Sequence, residues 1–457
     1  VRPPILEYET EAHPAGAPPA QETRLGFRAE WFVGFLLVSQ LVLLPLTSGP
    51  LRTLVRISTF GASLLLLVLI RGGGYRHPAM PAAVAAVIVV GASVFHPSTS
   101  TWLAGAAQAG MYLAILAPLF WVPRLECDTR VLRRAITWLW AFHSLSAALG
   151  VVQTYLPGVL DPPVSTVVMA QGEAYVESLR ITNAFGQRVF RPMGLTDTPG
   201  GAASSGFYAV LFGFGLLLAS WNRAWRTVAV LSIAAGFAAI YLSQVRSVLV
   251  MTAVCLLTAV ALLLRRGELG KSLGGLVALG ALPLAGYWVA GQLGGEGTAR
   301  RVGSITGRGV GEVYYSSRGR FLEHTVEVLL PRYPFGAGMG RWGMMNSYFG
   351  LRGDLDRGMI WAEIQWTGWL LDGGVPLILA YAAMLVLAFV TMGRIAGGTH
   401  DRELSTWAIL LQGYVLGIVA LTFNYPVFNS QLGMEFWFLN ALAFAAWAQR
   451  RRAEEPA

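Results

Sequence analysis

Lysine is almost missing from this chain. Lys271 is the single one in 457 residues, and charged residues of all kinds make up only 13%. A soluble domain is roughly a quarter charged, so this scarcity, beside 54% hydrophobic residues, excludes one large soluble core and points to an integral membrane protein. Cysteine is equally sparse. Cys127 falls in a short loop and Cys255 in mid-span, so both are expected to be unpaired and no redox chemistry is implied. HExxH and paired Cys/His spacings are absent, which leaves no metal or other cofactor to expect. GxSxG and SxxK are absent too, and with them a nucleophilic serine. No internal repeat or pair of inverted halves is evident.

What the chain does have is arginine, which carries almost all of the net charge of +9. A GC-rich genome accounts for such a bias by itself. Attraction to anionic membrane lipids also fits, whereas nucleic acid is a poor partner for so apolar a chain. Residues 1–23, rich in Pro, Ala and Glu, lack the apolar run of a signal peptide, so 1–30 read as a disordered tail. The opening Val1, in place of methionine, suggests a trimmed start.

A membrane span takes about 20 apolar residues, and that length predicts about twelve spans. They lie near 31–48, 53–70, 79–95, 101–122, 132–155, 200–220, 225–242, 246–264, 273–291, 374–393, 405–424 and 432–449. The 53–70 span is weakened by Arg56. Arginines crowd the short loops on one side, at Arg71, Arg124, Arg133, Arg223, Arg265 and Arg394, and the tail Arg450–Arg452. The opposite short loops His96–Ser100 and Asn424–Gln431 carry none, and Arg52 is a minor exception. Positive charge stays inside, so both termini, 1–30 and 450–457, are expected in the cytoplasm. Spans one to nine then occupy 31–291, interrupted by an outer loop at 156–199. A long, partly helical outer loop fills 292–371, and spans ten to twelve fill 372–449.

That long loop holds nine arginines between Gly291 and Trp361: Arg300, Arg301, Arg308, Arg318, Arg320, Arg332, Arg341, Arg352 and Arg357. Six acids accompany them. Guanidinium clusters match phosphate and pyrophosphate oxygens, so an anionic ligand is the first partner to expect.

Four outer clusters could carry chemistry. Arg188-Val-Phe-Arg191-Pro-Met-Gly leads through Gly201 into a span, at a helix start that favours anions; an ordinary loop is the plain alternative. Tyr241-Leu-Ser-Gln-Val-Arg246-Ser247 is a tight turn that sets Arg246 at the membrane edge, either for a substrate or snorkelling to lipid phosphate. Tyr315 to Pro331 carries Arg318, Arg320 and His324; Phe321, Leu322, Val326, Leu329 and Leu330 suit a short surface helix. His324 fits a surface position better than a base and stands as a second candidate. The run Phe335-Gly-Ala-Gly-Met-Gly340 is a weak nucleotide signal and fits a flexible turn better. Finally, Trp361 to Pro376 carries Glu363 and Asp372. Either carboxylate near the surface could act as a general base, or pair with a loop arginine.

In order, these clusters resemble the bacterial O-antigen ligase and O-antigen polymerase superfamily, over roughly residues 185–440. Arg191-Pro-Met-Gly194 through Gly201 resembles its Arg-rich segment before a span, and Ser243-Gln-Val-Arg246-Ser247 its turn with Ser and Arg. Arg318 through Pro334-Phe-Gly-Ala-Gly338 resembles the periplasmic loop, and Asp372-Gly-Gly-Val-Pro376 the closing acidic motif. The resemblance implies an all-α, GT-C-like fold in the bacterial inner membrane. It also implies metal-independent, inverting transfer of a glycan from an undecaprenyl-diphosphate carrier to a glycan or lipid-linked acceptor at the periplasmic face, in O-antigen or exopolysaccharide synthesis. Arg191 and Arg246 would hold the diphosphate, supported by Arg318 and Arg320, with Arg188 and Asp372 as secondary candidates. Many ligases place a histidine where this chain has Glu363, taken as the base on the acceptor hydroxyl. A carboxylate can do that work, and the departure favours a polymerase or a ligase-like transferase. Other polysaccharide assembly proteins are further candidate partners.

Three rivals stand beside this reading. A transporter or flippase for lipid-linked glycans would want polar groups at mid-membrane. A polyprenyl-sugar transferase with an acid in its first outer loop is disfavoured, since Ser48-Gly-Pro-Leu-Arg52 has none. A scaffold would tolerate loss of Glu363.

Overall fold

A computed structural model describes residues 27–46, 48–158, 161–169, 172–183, 185–219, 222–308, 310–350 and 362–454. The chain is mostly helical. It begins with α1 (Ala29–Leu43), α2 (Gly49–Leu69), α3 (Met80–Ser93), α4 (Trp102–Leu116), the short turn α5 (Pro118–Trp121) and α6 (Thr129–Gln153). Small pieces follow: α7 (Thr166–Met169), α8 (Glu173–Ser178) and an antiparallel hairpin of β1 (Arg180–Thr182) and β2 (Arg188–Phe190), with Arg180 opposite Phe190. Next come α9 (Ala202–Leu218), α10 (Arg223–Ser243), α11 (Arg246–Arg265) and α12 (Leu269–Arg308). Then α13 (Val310–Tyr314), α14 (Arg320–His324) and α15 (Leu330–Arg332) alternate with widened π-type turns over Tyr315–Gly319 and Thr325–Leu329. After α16 (Gly343–Phe349), the chain closes with α17 (Gln365–Gly398), α18 (Arg402–Thr422) and α19 (Gln431–Glu454).

Each predicted span contains a helix, and the one predicted at 101–122 is split between α4 and α5. Among the described residues, seven helices are long and apolar enough to cross a membrane, or eight if α4 and the 41° bend after it make one span. The seven are α2, α6, α10, α11, the first half of α12, α17 and α18, while α1, α3 and α9 are shorter apolar helices. α2 shows why lipid is the right solvent. Its buried residues are Arg52, Thr59, Ser63 and Leu66, whereas Leu54 is 65% exposed and Leu65 and Val68 also face outward. A polar stripe inside and an apolar face outside is costly in water and natural in a bilayer.

Small residues let the helices approach closely. A Cβ on Gly206 in α9 would lie 2.5 Å from the Gly236 carbonyl of α10, and one on Gly236 would lie 2.7 Å from the Gly206 carbonyl. Cys255, free and buried like Cys127, sits where Gly413 and Gly417 bring α18 against α11.

Contacts sort the connections into two ends. At one, Arg124 reaches the Ile70 carbonyl at 2.8 Å, Arg450 pairs with Asp401 at 2.7 Å, and Arg266 bonds to Ser405. Cys127 N–H donates to Gln449, and Arg134 meets Glu30. This is the arginine-biased set of loops, and both described chain ends lie there. The other end gathers the α1–α2 and α3–α4 connections, the described residues between 154 and 201, the α10–α11 turn, and residues 310–350, 362–364 and 423–430. We call it the loop end.

Two boundaries differ from expectation. The span predicted at 273–291 lies within a 40-residue helix that contains Pro283 and runs on to Arg308. At 1.5 Å per residue that is about 60 Å, some twice the hydrocarbon thickness, so the long loop leaves the membrane as helix. The stretch before the span predicted at 374 is also helical, joined to it through a break at Gly374 (φ 66°).

Candidate functional site

The site is built from the loop end, where three of the four sequence clusters meet. The β-hairpin delivers the first. Arg188 pairs with Glu177 in the open, so its charge is already matched locally. Arg180 also reaches Glu177, at 3.4 Å, and lies 4.7 Å from the Phe190 ring centre. Arg191 follows directly, its guanidinium donating to the Ser178 carbonyl at 2.9 Å and its N–H to the Leu179 carbonyl.

Beyond Arg191 the chain is clamped to α6. Gln153 accepts from the N–H groups of Met193 (3.1 Å) and Gly194 (2.8 Å), and donates to the Gly194 carbonyl at 3.0 Å. Ser146 Oγ accepts from Leu195 N–H at 2.9 Å. Gly194 has φ 63°, and a Cβ there would lie 2.5 Å from Ser146 Oγ, so only glycine fits. The expected anion site at the start of α9 is not free. Ala202 N–H donates to Pro192, Ala203 N–H to Gly200 and Ser204 N–H to Gly201, so the first-turn donors are spent within the chain.

The α10–α11 turn lies against the same segment. Its Gln244 has φ 55°, the one positive value outside glycine among the described residues. A Cβ on Gly200 would sit 3.4 Å from Val245 and 3.8 Å from the Arg191 side chain. Arg246, the next residue, opens α11 half-buried at the loop end. Tertiary packing thus brings the Arg191 segment and the Arg246 turn side by side.

The helical run 310–332 supplies the third group. π-type turns are frequent at functional sites, and the first of them holds Arg318. Its guanidinium forms an ion pair with Glu363, just before α17, with the two side chains 35% and 23% exposed. Thr325 Oγ1 and Thr367 Oγ1, 2.6 Å apart, pin this run to α17. Arg320 and His324 point away from the bundle: both are exposed, and Arg320 lies 5.9 Å from the Tyr315 ring centre. Val326, one of the apolar residues expected on a short surface helix, is exposed, as is Val328.

Tyr175 on α8 joins these groups. Burial raises its phenol above the ordinary value, the Glu363 carboxylate adds to that, and the Arg191 and Arg318 guanidiniums oppose it. All three charges therefore act on one hydroxyl.

The fourth cluster divides. Glu363 stays at the partly exposed surface, but Asp372 is fully buried. It accepts from Gln108 (3.1 Å), Tyr112 (2.8 Å) and Trp342 (3.0 Å), and so anchors the loop in place of serving as an accessible base. The Gly-rich run beside it is no flexible turn. Ala337 N–H donates to Leu371 at 2.7 Å and Val375 N–H to Pro334 at 2.8 Å, so the run plugs the break in α17. A Cβ on Gly338 would lie 2.6 Å from the Ser98–Thr99 backbone.

Of the other loop arginines, Arg332 lies 5.2 Å from the Tyr333 ring centre and Arg341 donates to the Ala337 carbonyl at 3.0 Å. Arg300, Arg301 and Arg308 belong to α12, and Arg352 and Arg357 lie outside the described residues.

Sequence reasoning missed a charged knot. Asp197 accepts from Arg52 at 2.7 Å and also from Arg56, with Arg52 and Asp197 only 6% and 8% exposed. Arg52 also donates to the Pro163 carbonyl at 2.9 Å, and Arg56 to Ser165 Oγ at 3.3 Å. The signal was present: two arginines four apart inside an apolar span, in a chain with few charges. Their i, i+4 spacing puts them on one helix face.

No protein-family model and no curated protein matches the sequence. The class is therefore read from the fold alone: a helical protein with several membrane-spanning helices and a charged site gathered at one end. Three guanidiniums and a carboxylate at a membrane surface can hold an anion and accept a proton.

Proposed function

We propose that this chain is a membrane glycosyltransferase that moves a glycan from an undecaprenyl-diphosphate carrier to an acceptor hydroxyl. The observation that carries the reading is geometric: Arg318 pairs with Glu363 at the loop end, where the Arg191 segment and the Arg246 turn pack side by side. The loop end would face the periplasm and the arginine-biased end the cytoplasm, with about twelve spans between them. Seven qualify by length and composition; α1, α3, α9, the bent α4 segment and α19 would complete the set in a bilayer thinned or tilted to suit.

In this reading the acceptor oxygen attacks the anomeric carbon from the face opposite the diphosphate. The new C–O bond forms as the bond to the diphosphate breaks, the electron pair leaves with the diphosphate, and the anomeric centre inverts. Arg191 and Arg246 stabilise the charge growing on the leaving group. Glu363 receives the acceptor proton, and Arg318, paired with it, orients the carboxylate. Arg320 and His324, turned outward, have no part in the step. The test is transfer by purified protein in nanodiscs, given a lipid-linked donor and acceptor. Glu363→Ala should cut kcat about 10²–10⁴-fold with insertion intact, and Arg246→Ala should also abolish transfer. Near-normal turnover in either variant removes that residue from the site.

One observation favours a transporter instead. Inside the bundle, His143 lies 3.3 Å from Ser205, Ser205 2.8 Å from Ser146, and Tyr208 3.1 Å from Tyr414. Gln431 donates to the buried Glu435 at 2.9 Å. Polar groups at that depth suit a headgroup path. Relocation of lipid-linked glycan across a vesicle bilayer without bond formation would establish it.

A further inference from the structure

α2 is one of the two least integrated candidate spans, yet it carries two arginines into the protein. Its outward face is apolar and its inward stripe is Arg52, Arg56, Thr59 and Ser63. Charges inside a span are expensive and are retained where they have a partner or a task. Both arginines converge on Asp197, which lies in the same short segment as Arg191. Two cations on one carboxylate leave an excess positive charge, more than a neutralising pair requires.

The contacts run on from this knot to the candidate site. Ser165 N–H donates to the Asp197 carbonyl at 2.9 Å, so residues 161–165 and 191–201 are tied together where Arg52 and Arg56 grip them. Gly200 N–H donates to the Arg191 carbonyl at 3.3 Å, and Gly200 faces Val245 beside Arg246. From the other side, Gln153 and Ser146 hold Met193 to Leu195. The segment is thus held between a neutral clamp on α6 and a charged clamp on α2.

We propose that Arg52, Arg56 and Asp197 are positioning residues for donor binding, fixing the 191–201 segment so that Arg191 and the Arg246 turn address one diphosphate together. The proposal rests on the transfer reading above. α2 is then a working part of the site and its arginines are not incidental to membrane insertion.

The test compares Asp197→Asn with a triple variant, Arg52→Met, Arg56→Met and Asp197→Leu, which removes all three charges together and avoids leaving a buried cation alone. Steady-state kinetics are measured in nanodiscs with lipid-linked donor and acceptor, beside binding of sugar-free undecaprenyl diphosphate and hydrogen exchange over 191–201. The triple variant should insert and melt like the wild type, yet raise donor KM and the lipid-diphosphate Kd about tenfold or more with acceptor KM unchanged. Amides in 191–201 should exchange about tenfold faster. Asp197→Glu should restore part of the donor affinity. Wild-type donor KM and Kd in a well-folded triple variant overturn the proposal, because the cluster then serves folding alone. Equal loss for donor and acceptor overturns it as well. Absence of transfer by the wild type would sink the transfer reading instead; lipid-diphosphate binding and exchange then still decide whether the cluster positions an anion site.

Discussion

Asp197 and Asp372 lie at the same end of the bundle, both buried, and are held in opposite ways. Asp372 accepts from an amide, a phenol and an indole, all neutral. Asp197 accepts from two guanidiniums of one helix. Neutral donors fix geometry without adding charge, and they stitch the plug at 334–342 into the break of α17. Charged donors do something more, because they set a net positive field beside the segment that carries Arg191. The first arrangement suits an anchor and the second suits a place where an anion is to be handled. Glu363 is a third case: partly exposed, paired with Arg318, and able to reach both protein and solvent.

Three substitutions would break or sharpen this contrast. Asp197→Asn should have the largest effect on stability, about 3–5 kcal/mol, because the buried Arg52 and the half-buried Arg56 lose their counter-ion. Thermal unfolding followed by tryptophan fluorescence in detergent measures it, and a wild-type melting curve would show that the knot is hydrated and cheap to open. Asp372→Asn should cost less, about 1–3 kcal/mol, since its amide turns a donor toward donors but strands no charge. A loss greater than that of Asp197→Asn would reverse the assignment of anchor and electrostatic element. Arg188→Ala should be the mildest, with a melting curve close to that of the wild type, because its pair with Glu177 is exposed and screened. Strong loss of transfer in this variant, with folding unchanged, would bring Arg188 back into the site.

The helices were legible because a span has to be long and apolar whatever it packs against. Each predicted segment contains a helix, including 53–70 with its Arg56, and seven of those helices are long and apolar enough to cross a membrane. The loops that share an end were legible as well, since arginine bias separates them without any contact being known. Site residues were legible as positions and not as pairs. Arg191, Arg246, Arg318 and Glu363 stood out as charges in the outer loops and at span edges, but nothing in the sequence couples Arg318 to Glu363. Still less does it couple Arg52 to a carboxylate 145 residues away. The Gly-rich run read as flexible because glycine permits many conformations; here close backbone packing selects one.

By itself, the sequence determined that the protein is helical, apolar toward its surroundings, and charged mainly at the span ends. Hydrophobic length and charge placement act locally, so they need no knowledge of neighbours. Tertiary structure alone decided which acids are buried, which arginines turn outward, and which guanidiniums meet across the loops. Those outcomes depend on partners distant in the chain, and for a charge the partner settles whether burial is tolerable at all. Asp372, conspicuous in sequence, became an anchor; Asp197, unremarked there, became the acid that holds two arginines beside the candidate site.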